Sequence, residues 1–173
     1  KLVVATNQND ILHRCLMTGG YVTDSVIPSI SPSMDIQVSS NFERALFDAY
    51  DRDGNAVSKL MDELKQGGFD VNQGAMEVLQ SHFDSGRASE EETSNTIIET
   101  LKSSGELLCP HSAIGVKVAN DKPASETPMI TLATAHPAKF PDAVEAASGI
   151  RPPLPERMAD LYERDERVTR IAN

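Results

Sequence analysis

Cysteine is scarce in this sequence, with only Cys15 and Cys109 among 173 residues. Two thiols do not make the disulfide framework of a small secreted scaffold. They fit a reducing cytoplasm, both free and packed as small apolar residues, although one pair between them is compatible with the sequence. Basic charge is also short: 16 Lys and Arg stand against 26 Asp and Glu, a net charge of −10. That balance argues against a general nucleic-acid binder, whose footprint is basic, and against anionic membrane surfaces. No apolar run approaches the ~18 residues that span a bilayer. Lys1 is followed only by a short apolar run, Leu2 to Ala5, which is not a signal peptide.

The common nucleotide and catalytic signatures are missing too. There is no G-x-G-x-x-G, no G-x-x-x-x-G-K-[ST] and no G-x-S-x-G. His13, His82, His111 and His136 include no H-E-x-x-H pair, and Cys109-Pro110-His111 lacks the gap of a zinc knuckle, so no metal site is expected. Asp51-Arg52-Asp53-Gly54-Asn55 resembles the front of a calcium loop. Placing Gly54 at the sixth loop position puts Ala49 and Leu60 where oxygen ligands are required, so a tight turn between helices is expected instead.

What is present fits one α/β domain, with 39% hydrophobic residues for a core. Leu2-Val3-Val4-Ala5 reads as a buried parallel strand, and Pro128 to Ala133 as a second. Val168 to Ile171 reads as an edge strand. Asn7 or Asn9 is expected to cap a first helix carrying Ile11, Leu12, Cys15 and Leu16, with Gly19-Gly20 as its stop. A loop from Tyr21 to Met34 follows. Ser40-x-x-Glu43 and Ser89-x-x-Glu92 read as capping boxes. Between them, one helix carries Val57, Leu60, Met61 and Leu64, and another carries Met76, Leu79 and Phe83 and ends near Gly86. Pro110, Pro141 and Pro155 open three more. Strands alternating with helices indicate parallel pairing, but two or three strands are few for so many helices. Both ends read as cut: a buried strand opens the chain, and Ile171-Ala172-Asn173 closes it with no stop signal.

Ligands of open α/β sheets bind beyond the carboxyl ends of the strands. The first strand delivers Asn7 and Asp10 there, and the second delivers Thr134, His136 and Lys139. A hydroxyl, an imidazole and an ammonium within six residues suit a polar, anionic ligand. The plainer alternative is that Thr134 caps a turn, His136 packs and Lys139 is solvated. Asn41 and Arg44 fall in the first turn of a capped helix, which either favours anions or is an ordinary surface helix.

The strings LVVATNQNDIL, SPSMDIQVSSNFERALFDAY, PHSAIGV and TLATAHPAKFPDAV together resemble threonine synthase, a pyridoxal 5'-phosphate (PLP) family of fold type II. The resemblance covers almost the whole chain and is closest to the branch with a long helical insertion. It implies a helix-rich C-terminal part of that fold, with few parallel strands and an incomplete sheet. Residues 1–55 would belong to the large cofactor domain with an active-site loop, 56–105 to the helical insertion, and 106–173 to the rest of the large domain. One departure is Cys109, where the family usually has an acidic helix cap. The seven lysines (Lys1, Lys59, Lys65, Lys102, Lys117, Lys122, Lys139) all lack the preceding Phe of the family's Schiff-base lysine, and the Gly-rich phosphate loop is absent.

The resemblance implies that the full enzyme converts O-phosphohomoserine and water to L-threonine and phosphate, with PLP as electron store. It implies a cytoplasmic, monomeric protein whose N-terminal half is missing here, so that this piece alone is inactive and does not hold PLP. Thr134 would face the pyridine nitrogen. His136, Lys139, Asn41, Arg44, Asn7 and Asp10 are candidates for substrate binding. Two other readings are a phospho-lyase of the same fold that makes a 2-oxo acid, and a non-catalytic helical interaction module.

Overall fold

A computed structural model describes residues 1–171; the expectation that rested on Ala172 and Asn173 lies outside the described residues. Eleven main elements follow in order: β1 (Leu2–Thr6), α1 (Ile11–Thr18), β2 (Gly20–Val22), α2 (Phe42–Ala49), α3 (Gly54–Leu64), β3 (Gly68–Asp70), α4 (Gln73–His82), β4 (Phe83–Arg87), α5 (Glu90–Ser104), α6 (Pro110–Asn120) and α7 (Pro141–Ser148). Helix dominates and the sheets are small. β1 and β4 pair in parallel, from Leu2 opposite Phe83 to Thr6 opposite Arg87. β2 and β3 pair antiparallel, with Tyr21 opposite Phe69. The range 56–105 holds α3, α4 and α5 and also β3 and β4, each paired with a strand from the first 22 residues.

The main core forms where the apolar faces of α1, α2 and α4 meet β2 and β3. Ile11, Cys15, Leu46, Leu60, Phe69 and Leu79 are buried in it. Tyr21 stacks between Phe69 at 4.9 Å and Phe42 at 5.6 Å, an offset aromatic arrangement that adds to area burial. The Tyr21 hydroxyl accepts the Ser39 N–H at 2.8 Å, so its polar tip is satisfied inside the core. Burial, then the nearby Asp70, pushes the Cys15 thiol up to about 12, so it behaves as a small apolar residue. α6 lies against β1 and β4. It approaches at Gly86, where a Cβ would stand 2.6 Å from Val118 Cγ1, so only glycine admits that contact. Ile97, Ala113, Ile114, Val118 and Val144 are buried where α5, α6 and α7 pack together.

Local signals that depend on near neighbours form as expected. Ser89 and Glu92 make the reciprocal capping box of α5, and Gly105 ends it in the left-handed conformation. Pro110 opens α6, and Pro141 opens α7, which Gly149 ends. The 51–55 segment is a tight turn, with Asp51 and Arg52 at positive φ and Asp53 capping α3.

Several expectations are corrected. Pro128 to Ala133 is not a strand: it joins neither ladder and runs irregularly, with Ile130 81% exposed. Val168 to Ile171 is likewise irregular and exposed, without a ladder partner among the described residues. β1 is not buried on both faces: Leu2 is exposed, Val3 to Ala5 are half-buried, and one edge alone is paired. Pro155 opens two short 3-10 turns, Glu156–Met158 and Leu161–Glu163, instead of an α-helix. Neither Asn7 nor Asn9 caps α1; Asp10 stands at that position without a side-chain cap bond. Ser40 and Glu43 make no capping box, since α2 starts after Asn41 in helical conformation. The helix expected to run to Gly86 ends at His82, and Phe83–Arg87 becomes β4.

Candidate functional site

The N-terminal turn of α6 grips the segment that carries Thr134, His136 and Lys139. Cys109 takes the cap position, and its Sγ accepts the Ser112 N–H at 3.4 Å. The sulfur thus supplies the cap that an acidic side chain would give, at a longer and weaker contact. Ser112 Oγ lies 3.2 Å from Cys109 Sγ and accepts the Thr134 N–H at 3.1 Å. It also sits 3.4 Å from Thr134 Oγ1. Thr134 is held by its backbone and keeps its side chain exposed.

A cleft of about 540 Å³ opens beside Thr134. Its walls include Val3 of β1, Met34, His111, Gly115 of α6, Met129 and Thr131. Most of that lining is apolar, with the Thr134 hydroxyl among its few polar groups. Gly115 lets the 131 segment close in, since a Cβ there would meet Thr131 Cγ2 at 2.9 Å.

The sequence offers His111 only as a metal-ligand candidate, and the structure gives it another place. It is 6% exposed, its Nε2 accepts the Ser33 N–H at 3.1 Å, and its ring lies 4.5 Å from that of Phe140. An accepting Nε2 leaves the proton on Nδ1, which is buried and has no partner among the described residues. Burial chiefly, then Lys139, pushes the imidazole pKa below its ordinary 6.5, with Asp35 opposing. A buried neutral histidine makes the unfolded chain bind more protons than the folded one, so stability falls as pH drops through about 6.5 and below. Acidification from pH 7.5 to 5.5 is therefore expected to lower the melting temperature more in the wild-type protein than in H111Q. Equal losses in the two would contradict it.

The other sequence candidates lie in three places. His136 caps the 3-10 turn Pro137–Lys139, its Nδ1 accepting the Ala138 N–H at 3.2 Å. Lys139 holds its ammonium 5.6 Å from the Phe140 ring centroid. Asn41 and Arg44 hydrogen-bond to each other and line a separate groove of about 690 Å³ between α2 and α3. Asn7 is buried in a polar network with Ser29, Ser31 and Asp35. Asp10 pairs with Arg14 at 2.9 Å and Arg87 at 2.8 Å, which occupies its carboxylate. The structure thus places His136 and Lys139 in one turn just after Thr134, which is tied instead to Ser112, and leaves Asn41 with Arg44, Asn7 and Asp10 in other surroundings. Sequence reasoning missed Ser112 and the role of His111. The PHSAIGV string was the one signal for both.

Among the described residues no cluster of three or more His, Cys, Asp or Glu side chains could hold a metal ion, and no helix is long and apolar enough to cross a membrane. Residues 112–173 match the family model described as "Threonine synthase, C-terminal". The threonine synthase of Pseudomonas aeruginosa is 51% identical over 176 residues, covering all of this chain and 38% of that protein. The PLP-bound threonine synthase structure from Brucella melitensis superposes with a TM-score of 0.92 at 53% identity, over 96% of this chain and 36% of that one. The yeast threonine synthase structure gives 0.84 at 39% identity, over 96% of this chain and 38% of that one. The chain therefore spans a little over a third of the length of these relatives. In sequence over its whole length, and in fold over 96% of it, this chain is similar to threonine synthases, and its residues 112–173 match the C-terminal part of that family.

Proposed function

We propose that this chain is the C-terminal part of an enzyme that converts O-phosphohomoserine and water to L-threonine and phosphate with PLP. The carrying observation is the Thr134 hydroxyl, pinned by its own N–H to Ser112 and exposed on an apolar cleft, in a chain similar throughout to a PLP-bound threonine synthase. These residues fit one edge of the cofactor. A neutral hydroxyl suits the pyridine nitrogen, and the apolar walls suit a flat ring. When bound, the cofactor supplies an electron sink that lets protons leave carbon and phosphate depart.

The chain's own residues bind and orient. Thr134 faces the ring nitrogen without the full charge of an aspartate, which moderates the sink. Met34, Met129 and Val3 exclude water from the ring. Lys139 meets the substrate phosphate through charge-assisted hydrogen bonds, with His136 holding the backbone turn that presents it. Asn41 and Arg44, in their own groove between α2 and α3, are candidates for a further contact with substrate, whereas Asn7 and Asp10, engaged by Asp35 and by two arginines, brace the scaffold. The lysine that carries the cofactor and the loop that cradles its phosphate lie outside these 173 residues, so the piece alone is inactive. The enzyme works as a cytoplasmic monomer.

Borohydride reduction of the full-length protein with PLP, followed by peptide mapping, tests this placement. The adduct is expected on a lysine outside the present sequence. A stoichiometric adduct on one of its seven lysines would overturn the reading.

A further inference from the structure

The cleft's one pinned hydroxyl has a buried neighbour that decides what it can do. Ser112 is 3% exposed and touches both Cys109 and Thr134. A serine hydroxyl has one hydrogen to give and two lone pairs to fill. One lone pair of Ser112 Oγ takes the Thr134 N–H at 3.1 Å. Two neighbours remain, Cys109 Sγ at 3.2 Å and Thr134 Oγ1 at 3.4 Å. Cys109 is fully buried, and its sulfur already accepts the Ser112 N–H. Its thiol hydrogen has Ser112 Oγ as its acceptor among the described residues. With that lone pair filled, the Ser112 hydrogen goes to Thr134 Oγ1, and the Thr134 hydrogen turns to the cleft.

We propose that Ser112 is a positioning residue that aims the Thr134 hydroxyl as a donor into the cleft, through a Cys109–Ser112–Thr134 chain of hydrogen bonds. The proposal rests on the reading that Thr134 faces the ring nitrogen of PLP. A donor at that place matches a nitrogen that carries no proton, and the same chain run backwards would match a protonated one. Ser112 thereby favours the unprotonated ring without touching it.

The test uses the full-length protein loaded with PLP, with S112A, T134V and the double variant. The readouts are equilibrium affinity for PLP, the wavelength and pH profile of the bound-cofactor absorption band, and the melting temperature of each apo-protein. T134V is expected to weaken PLP affinity by about 2- to 10-fold, the worth of one neutral hydrogen bond, and to move the band. S112A is expected to move the band in the same direction by a smaller amount, and the double variant to match T134V. If S112A fails to fold, S112C keeps a donor and acceptor of similar size and is expected to fall between wild type and T134V. A band and affinity unchanged in S112A, beside a clear change in T134V, would overturn the role of Ser112. Additive effects in the double variant would do the same. No change in T134V would overturn the placement of Thr134 itself, and the proposal with it.

Discussion

Replacing Asp35 by Ala is expected to lower the unfolding free energy by about 3–5 kcal/mol, the range in which buried networks lose several bonds at once. The Asp35 carboxylate accepts from four donors: Asn7 Nδ2 at 2.7 Å, Asn9 Nδ2 at 3.0 Å, the Ser29 hydroxyl at 2.6 Å and the Ser29 N–H at 2.8 Å. Asn9 is buried and keeps an amide hydrogen without an acceptor when the carboxylate goes, as does the half-buried Ser29 N–H, whereas Asn7 Nδ2 still has the Ser29 and Ser31 hydroxyls at 2.9 and 3.0 Å. Each such group costs about 1–3 kcal/mol, less where water enters, and the losses are not additive. The network ties the end of β1 to the 27–35 loop, because Asn9 also accepts the Ile27 N–H and donates to the Ile27 carbonyl, both at 2.8 Å. Met34 and His111, which line the cleft, depend on that loop for their place. Urea unfolding of the wild type, D35A and D24A measures the effect. Asp24 is exposed, and its carboxylate accepts only from its neighbour Ser25, so D24A is expected to stay within about 0.5 kcal/mol of wild type. A D35A loss no larger than that of D24A would contradict the role of the network.

The second large effect falls on catalysis. K139M in the full-length enzyme is expected to lower kcat/KM for O-phosphohomoserine by about 10- to 150-fold, the worth of one hydrogen bond to a charged group. Among the described residues no carboxylate forms an ion pair with Lys139, so its charge is available to an anion. Methionine keeps the length of the apolar stem over Phe140 and removes only the ammonium. PLP affinity and thermal stability should stay close to wild type. An unchanged kcat/KM would remove Lys139 from the phosphate site.

Two capping boxes looked alike in sequence, and only one formed. Ser89 and Glu92 sit in a helix whose start is set by its own first turn, so four residues carry the information. Ser40 and Glu43 sit where tertiary contacts set the chain's path. The Ser39 N–H goes to the Tyr21 hydroxyl, and the Phe42 ring stacks on Tyr21, which starts the helix from Asn41. β4 was hidden for a related reason. Phe83-Asp84-Ser85-Gly86-Arg87 has little intrinsic strand preference, and it is a strand because β1, some 80 residues away in sequence, pairs with it. Pro128 to Ala133 shows the converse: strand-like composition makes no strand without a partner.

The site was legible to a similar depth. His136 and Lys139 share one turn, two residues after Thr134, so that part of the grouping follows from chain adjacency. Asn7 and Asp10 were correctly placed after a strand, but their polar groups are occupied by Asp35 and by two arginines. Ser112 lies 22 residues from Thr134, and no local spacing announces a contact that depends on how α6 packs.

The central claim is that the protein carrying this chain makes threonine. Product analysis of the full-length protein with PLP and O-phosphohomoserine in labelled water tests it most directly. The account predicts L-threonine and phosphate in equal amounts, with one solvent oxygen in the threonine hydroxyl. Phosphate released together with a 2-oxo acid, and no threonine, would contradict it.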